Sequence, residues 1–241
     1  MVICFISNTS WSLFNFRKNL ILELKEKGYK IYIISSHDRT SNEFIKIGCI
    51  PVNLKLSQQG INIFKEFITI FKLFMILKRI RPDYILNFTI KPIIYTGLIN
   101  YLYKFKTIST LDGLGHAFPK NSKLLFNFSK ILLRLSIKKN LYFLAVNKSD
   151  YNFYKVNRIC KESKLKIIPG TGIDLNYYKL KDSKKNKKIT FIMISRILKI
   201  KGVDLFLELA KNFQSDKKIE FILVTPGKFL NYSYELNLKC I

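Results

Sequence analysis

The 241-residue chain is poor in several chemically informative residues, and each shortage excludes a class of protein. Its four cysteines and two histidines are scattered without a CxxC pair or a His cluster, so we expect neither a disulfide framework nor a metal site. The N-terminus has no basic leader followed by a small-residue cleavage site. Charged residues interrupt every long apolar stretch, so we expect no membrane-spanning helix. These features favour a protein of the reducing cytoplasm.

Two glycine-rich nucleotide-binding loops are also missing. The segment that follows the first apolar run contains no glycine, so the GxGxxG fingerprint of nicotinamide and flavin enzymes is absent there. No GxxxxGK[ST] sequence occurs either, which excludes a P-loop. We therefore expect neither a nicotinamide or flavin cofactor nor a P-loop nucleotide site.

Acidic residues are scarce: 16 stand against 42 basic residues, giving a formal net charge of +26. Such an excess favours an anionic partner, either nucleic acid, a phospholipid surface or a phosphorylated substrate. Only 7 of the basic residues are arginine, the side chain that binds guanine edges bidentately, so we expect no nucleic-acid partner. Lysine, isoleucine and asparagine are all abundant, which is typical of a general drift in amino-acid composition. Such a drift alone could account for about half of the excess of positive charge.

What the chain does contain is an alternation of apolar strand-like runs and helical patterns. Strands are predicted at 2–7, 30–36, 51–56, 83–89, 106–113, 141–147, 164–170, 189–195 and 219–225. Helices are predicted at 11–27, 61–80, 91–104, 122–139 and 203–213, with one more before residue 164. Near-continuous apolar strands separated by helices predict an α/β fold with a parallel sheet covered on both faces.

A change in composition divides the chain. Residues 176–188 are rich in lysine and polar side chains and predict a linker between a domain at 1–175 and a second at 189–241. The second domain has room for two predicted strands, and the residues after 225 show no clear period. We expect that tail to be irregular.

Ligands of open parallel sheets bind beyond the carboxyl ends of the strands, so the residues there are site candidates. Asn8, Thr9 and Ser10 follow the first strand and precede a helix N-terminus that can bind an anion, with Arg17 as reinforcement. Ordinary helix capping explains the first three residues equally well. After the fourth strand, Lys91 stands just ahead of a helix predicted to begin at the next residue, a proline, and suits a phosphate or carboxylate.

The fifth predicted strand leads into a loop with two glycines. Gly113 and Gly115 allow the backbone to approach a ligand closely, and His116 follows them. A lone histidine is either structural or catalytic, and the residues alone leave both open.

Two further groups lie near the domain junction. Gly170, Gly172 and Asp174 predict a defined turn, which we interpret as a hinge bordering the cleft. Arg196 and Lys201 leave the first strand of the second domain and flank its first helix. A planar guanidinium and a compact ammonium suit the two phosphates of a diphosphate.

The segment 120–139 has an unusual distribution of charge. Its basic residues fall on one narrow helical stripe: Lys120, Lys123, Lys130, Arg134 and Lys138. Apolar residues cover much of the rest: Leu124, Leu125, Phe128, Ile131, Leu132 and Leu135. The pattern suits a helix lying on an anionic bilayer, and it also suits a core-facing helix with a solvated stripe.

Six motifs in chain order carry a family resemblance. They are IxNTSWxLxNFRxxL at 6–20, TIKPxIYxGL at 89–98, DGLGHAF at 112–118, NKSDYNFY at 147–154, IIPGTGIDL at 167–175 and SRILKIKGV at 195–203. With them the chain resembles a bacterial glycosyltransferase of family 4, of the kind that builds capsule, lipopolysaccharide O-antigen or lipid-linked glycans. The resemblance extends to about residue 224.

The resemblance implies a GT-B fold of two Rossmann-like domains, the first for the acceptor and the second for a nucleotide sugar. It implies retaining transfer without a bound metal, from a UDP-linked donor that is a substrate and not a cofactor. Arg196 and Lys201 match the family's basic pair on the donor diphosphate. His116 lies in a motif that lines the cleft, which makes it the candidate catalytic residue. The expected location is the cytoplasm, at the periphery of the inner face of the membrane.

The chain also departs from the family pattern. Family members continue further and carry an E…E motif that holds the donor sugar, so we expect a C-terminally truncated chain with weak or no activity. The alternatives are a non-catalytic fragment that binds acceptor or partner, and a basic nucleic-acid-binding protein, which would require the aromatic-basic repeats that this chain lacks.

Overall fold

The computed structural model describes residues 1–56, 63–113, 118, 122–175, 177–179, 188–195, 197, 201–225 and 239–240. The chain divides into two compact units, Met1–Tyr178 and Lys179–Ile241. The division falls inside the stretch 176–188 that the composition predicts to be a linker. Each unit has its own sheet and its own apolar core.

Unit 1 contains a seven-stranded parallel sheet in the order β3-β2-β1-β4-β5-β6-β7. Its strands are β1 Val2–Thr9, β2 Lys30–Ser36, β3 Ile50–Asn53, β4 Tyr84–Phe88, β5 Lys106–Thr110, β6 Tyr142–Ala145 and β7 Leu165–Ile167. The strand order runs outward in both directions from the central β1–β4 pair. The gap between the loops that follow β1 and β4 is therefore the topological switch point, where such sheets bind ligands.

Six helices connect these strands: α1 Ser10–Glu26, α2 Ser41–Lys46, α3 Ile63–Ile80, α4 Ile90–Ile99, α5 Lys123–Ile137 and α6 Lys148–Val156. Three of them begin with a side-chain cap. The side chains of Thr9, Ser122 and Asn147 accept hydrogen bonds from backbone amides in the first turns of α1, α5 and α6. The caps of α1 and α5 explain why these two helices begin within one residue of the predicted positions 11 and 122.

The two faces of the sheet carry separate cores. Ile3 and Phe5 of β1 pack with the helix α1, whereas Cys4 and Ile6 point to the opposite face and pack with α3. The helix α4 contacts both α3 and α5, so these three helices share one face. Successive strand residues point to opposite faces, which is why the apolar runs of β1 are continuous.

The contact between α4 and α5 is exceptionally close. A Cβ atom at Gly97 would overlap the backbone of Ser136, so only glycine fits at this point of α4. Beneath the two helices lies a buried polar network in which Asn87 bonds Thr96, and Asn140 bonds both Ser109 and Thr107. Fully bonded polar side chains fix the relative position of β4, β5 and the two helices.

Unit 2 is a smaller three-stranded parallel sheet in the order β10-β9-β8. Its strands are β8 Ile189–Ile194, β9 Ile219–Val224 and β10 Lys239–Cys240, and its helix is α7 Val203–Asn212. Buried Val203, Leu207 and Leu223 form its core cluster. Several large side chains of β8 are exposed, including Ile192 and Ile194.

The predicted α/β fold of the GT-B type, with its parallel sheet, is confirmed, two local predictions are wrong, and one short helix was not predicted. The short helix α2 was not expected. The tail expected to be irregular contains β10, which pairs with β9. The helix α4 begins at Ile90, so Lys91 lies inside its first turn and not ahead of it. Pro92 is tolerated there because the first backbone N–H groups of a helix have no intrahelical partner.

Candidate functional site

The switch point between β1 and β4 places Asn8 beside Thr89. The Thr89 hydroxyl donates a hydrogen bond of 3.0 Å to the Asn8 Oδ1 atom. Thr89 has a φ of 73°, which is rare for a β-branched residue and costs of order 1–3 kcal/mol. Backbone strain at the end of a strand makes Thr89 a candidate functional residue, and no sequence pattern reveals it.

At the start of α1, protein groups satisfy the helix N-terminus. The Thr9 hydroxyl accepts from the Ser12 amide at 3.2 Å, and the Asp38 carboxylate accepts from the Trp11 amide at 2.8 Å. Ser10 is fully buried, and its hydroxyl bonds those of Ser35 and Ser41. Thr9 therefore caps the helix, and Ser10 serves the fold by joining α1 to β2 and α2.

Asp38 is a carboxylate that the sequence patterns did not single out. Burial raises the pKa of Asp38, but hydrogen bonds from the Thr40 hydroxyl and from the amides of Trp11 and Thr40 outweigh burial and hold the pKa below its ordinary value. A negative charge at the N-terminus of α1 is favourable because the helix dipole is positive there. Asp38 thus occupies a position where the sequence alone suggested a ligand anion.

Arg17 lies in a buried position between β4 and the loop that follows β5. Its Nη2 atom donates to both carboxylate oxygens of Asp112, at 2.9 and 2.8 Å, and its guanidinium lies 4.6 Å from the centre of the Phe88 ring. Arg17 itself is 7% exposed, whereas the Asp112 side chain is 42% exposed. The pair fixes the first residue of the DGLGHAF motif to the helix α1.

Lys91 forms an ion pair with Glu66 at 2.6 Å, and both side chains are largely buried. The pair joins the first turns of α4 and α3 at the same edge of the sheet. At this edge the charge of Lys91 is therefore paired with that of Glu66, and the ion pair helps to position the two helix ends.

The remaining candidates divide between described and undescribed parts of the chain. Gly113 has a φ of 81° with open space where a Cβ would point, which suits close approach of a ligand to the backbone. Lys201 is exposed and directly precedes Gly202, the N-cap of α7. Gly115, His116 and Arg196 lie outside the described residues.

A cavity of about 700 Å³ lies between α1 and residues 168–178 in unit 1. Gly170 and Gly172, with φ of 70° and 69°, form the turn at its rim. The Asp174 carboxylate accepts from the Tyr177 amide at 3.2 Å, so its side chain bonds the residues that follow it and not the glycine turn itself. The lining combines rings with polar groups: Trp11, Phe14, Tyr177 and Tyr178 with Asn15, Arg17 and Asn19. Such a lining can hold a ligand that has flat faces and polar edges.

The sequence left open whether the apolar residues of α5 face a core or a bilayer. In the structure five of them are exposed: Leu124, Leu125, Phe128, Ile131 and Leu135. Leu133 and Ile137 pack inward instead. The core-facing interpretation is therefore wrong for those five residues. Among the residues that the structure describes, no helix combines the length and apolar character needed to cross a bilayer.

The profile of the glycosyl transferase 4-like family matches residues 2–147, which include β1, β4, β5 and the charged pairs at their ends. The chain belongs to the glycosyl transferase 4-like family. The match covers most of unit 1, so the polar edge described above lies in the part of the chain that defines membership of the family.

This glycosyl transferase 4-like chain is similar to a curated Campylobacter jejuni protein, N,N'-diacetylbacillosaminyl-diphospho-undecaprenol alpha-1,3-N-acetylgalactosaminyltransferase. The two are 27% identical over 222 residues. The matched region is 84% of this chain and 58% of that protein, so the chain spans less than two thirds of the length of its curated relative.

Solved structures show the same fold. A glycosyltransferase from Rickettsia africae superposes with a TM-score of 0.64 at 16% identity, covering 93% of this chain and 60% of that one. The Anabaena protein HepE in complex with UDP-glucose superposes with a TM-score of 0.65 at 13% identity, covering 93% of this chain and 60% of that one. At these identities the similarity establishes the fold alone, and evidence for the function must come from the residues of the site.

Proposed function

We propose that the chain is a glycosyltransferase that moves a sugar from a nucleotide-sugar donor to a lipid-linked or surface-polysaccharide acceptor. The observation that carries the proposal is the polar edge of unit 1, where Arg17–Asp112, Lys91–Glu66 and Asn8–Thr89 meet at the carboxyl ends of the strands. We assign the acceptor to this edge because ligands of open parallel sheets bind beyond the carboxyl ends of the strands, at the switch point.

The donor in this proposal is a UDP-sugar. HepE was crystallised with UDP-glucose and has the same fold. Arg196 and Lys201 bind the donor diphosphate and neutralise the charge that develops on it as the glycosidic bond to the sugar breaks. Transfer with retention of anomeric configuration, without metal or cofactor, is part of the same proposal.

The acceptor in this proposal is a glycan joined to a polyprenol through a diphosphate, the kind of molecule named for the Campylobacter relative. Asn8, Gly113 and Gly115 border its binding place, and His116 contacts the reacting sugar. The segment from Gly170 to Asp174 is the hinge next to it. The basic stripe and exposed apolar residues of α5 support a location at the anionic inner face of the cell membrane.

A transfer assay tests the proposal. The purified chain would be incubated with radiolabelled UDP-sugars and an undecaprenyl-diphosphate-linked glycan, followed by extraction of the lipid. We expect label in the lipid fraction at a low level, in line with the weak activity that the sequence predicts, and we expect the Arg196→Ala, Lys201→Ala double variant to lose it. Lys211→Ala, which removes an exposed charge from the last turn of α7, is the matched control and should retain transfer.

The outcomes separate the candidate functions. Label transfer that the double variant retains would contradict the assigned donor site. Absence of transfer with every common UDP-sugar, together with binding of the lipid-linked glycan, would favour a non-catalytic acceptor-binding protein instead.

A further inference from the structure

The helix α3 exposes a continuous apolar stripe. Phe64, Phe67 and Phe71 are 82%, 67% and 63% exposed, and Ile68 and Met75 lie on the same stripe. The spacing of three and four residues places these five side chains on one side of the helix. Soluble proteins rarely leave three phenylalanines of one helix in water, so this stripe indicates a contact surface.

The charges around the stripe are of one sign. The basic residues of α3 are Lys65, Lys72, Lys78 and Arg79. Its only acidic residue, Glu66, is largely buried and bonded to Lys91. The helix α5 has no acidic residue at all and carries Lys123, Lys130 and Arg134. Both helices therefore present apolar side chains beside positive charge, which complements an anionic lipid surface.

The fold places the two helices on one side of unit 1. The helix α4 contacts α3 and α5 and is itself mostly buried, so α3 and α5 flank it on the same face of the sheet. Both helices follow strands of a parallel sheet, so both begin at the edge where the strands end. A flat surface that covers the first turns of both helices therefore lies on the side of unit 1 next to the edge that holds Lys91, which Glu66 of α3 contacts.

We propose that α3 and α5 together form a binding surface for an anionic phospholipid bilayer, with the α3 stripe inserted at the level of the headgroups. The proposal rests on the proposed function for its purpose, since a lipid-linked acceptor would enter from this surface. A second copy of the chain is a poor occupant because a symmetric contact would bring the lysines of two identical basic surfaces together.

Vesicle binding by the full chain tests the proposal. Cosedimentation would compare vesicles of phosphatidylcholine and phosphatidylglycerol with vesicles of phosphatidylcholine alone. The chain should bind the mixed vesicles more tightly, and salt should weaken that binding. The partition coefficient of the Phe67→Ser, Phe71→Ser variant should be about tenfold lower or more, because two aromatic rings no longer insert into the lipid. Leu124→Ser, Phe128→Ser on α5 should show a loss of similar size.

A matched control distinguishes binding through this surface from non-specific hydrophobic binding. Val156 on α6 and Leu205 on α7 are 79% and 71% exposed but lie outside α3 and α5. The Val156→Ser, Leu205→Ser variant should bind vesicles like the unaltered chain. Equal binding by the α3 variant and the unaltered chain would overturn the proposal. A dimer that the α3 variant converts to a monomer would also overturn it in favour of self-association.

The vesicle result does not depend on catalysis, because no sugar donor is present. A chain that fails every transfer assay but loses vesicle binding through the α3 variant supports the surface and contradicts the proposed function. A chain that transfers sugar to lipid while the α3 variant binds vesicles normally supports the function and contradicts the surface.

Discussion

The strands β1 and β8 have similar apolar sequences and opposite surroundings. Ile3, Cys4, Phe5 and Ile6 of β1 are each at most 4% exposed, whereas Ile192 and Ile194 of β8 are 60% and 78% exposed. The strand β1 lies between β2 and β4 and has helices on both faces. The strand β8 stands at the end of its sheet and pairs with β9.

An apolar run in the sequence shows that a strand can be buried, but the layers packed on the two faces of the sheet determine whether it is buried. In unit 1 the cores on both faces hold the strands whose ends carry the candidate site. In the described part of unit 2 the apolar cluster is small, and most of β8 stays in contact with solvent. We therefore expect substitutions in β1 to be costly and equivalent ones in β8 to be mild.

The largest expected effect is that of Phe5→Ala. Phe5 is fully buried and stacks on Phe88 at 5.9 Å, so its loss leaves a cavity and should lower the free energy of unfolding of unit 1 by about 3–5 kcal/mol. The only tryptophan, Trp11, lies in α1 and reports unfolding of this unit by fluorescence. Ile192→Ala is the counterpart in unit 2, followed by the loss of far-ultraviolet circular dichroism, and an equal loss of unfolding free energy in the two variants would contradict the comparison.

A smaller effect is expected at the helix contact. Gly97→Ala forces α4 and α5 apart because the added methyl group overlaps the Ser136 backbone, and it should cost about 1–3 kcal/mol. Gly202→Ala in unit 2 meets no such crowding and suffers from its positive φ alone. Thermal unfolding followed through Trp11 should shift downward for the first variant. An unchanged transition would show that the two helices separate freely.

Next comes the ion pair of the candidate site. Asp112→Asn removes the charge that faces buried Arg17 and should cost unit 1 about 1–2 kcal/mol. Glu162→Gln, in the exposed pair with Lys155, should have a much smaller effect because solvent screens that pair. Denaturant midpoints of the two variants measure the contrast. Equal costs would mean that Arg17 does not depend on Asp112.

Chemical labelling of cysteine thiols compares the accessibility of the two strands with little change to the protein. Burial raises the pKa of the Cys4 thiol far above its ordinary value, and it raises the pKa of Cys49 to about 11, so both stay protonated and covered at pH 8. In a Cys160→Ser, Cys240→Ser background they should resist a maleimide reagent. Adding Ile192→Cys should create one fast-reacting thiol on β8. Comparable rates for all three thiols would show that β1 opens as readily as β8.

Much of the fold was predictable because local signals agree. The strand β2 matches its prediction at 30–36, since Gly28 ends α1 with a φ of 79° and an apolar run follows. The helix α2 was missed because six residues are too short to show a helical period. The start of α4 was predicted incorrectly because Pro92 was expected at the first position of the helix. In the structure Pro92 is the third residue of α4.

The site was less predictable because its contacts are distant in sequence. The pairs Arg17–Asp112 and Lys91–Glu66 join residues 95 and 25 positions apart, and no local pattern assigns such partners. The burial of Ser10 depends on Ser35 and Ser41 in the same way. The apolar stripe of α5 was recognised, but a sequence does not distinguish a stripe that faces a core from one that faces solvent.

The claim that the chain uses a nucleotide sugar can be tested by calorimetric titration of the full chain with UDP and UDP-sugars, because such a transferase must bind its donor. We predict that the unaltered chain and the Lys211→Ala control bind, and that the Arg196→Ala, Lys201→Ala variant does not. Failure of the folded, unaltered chain to bind any UDP-sugar would contradict the claim.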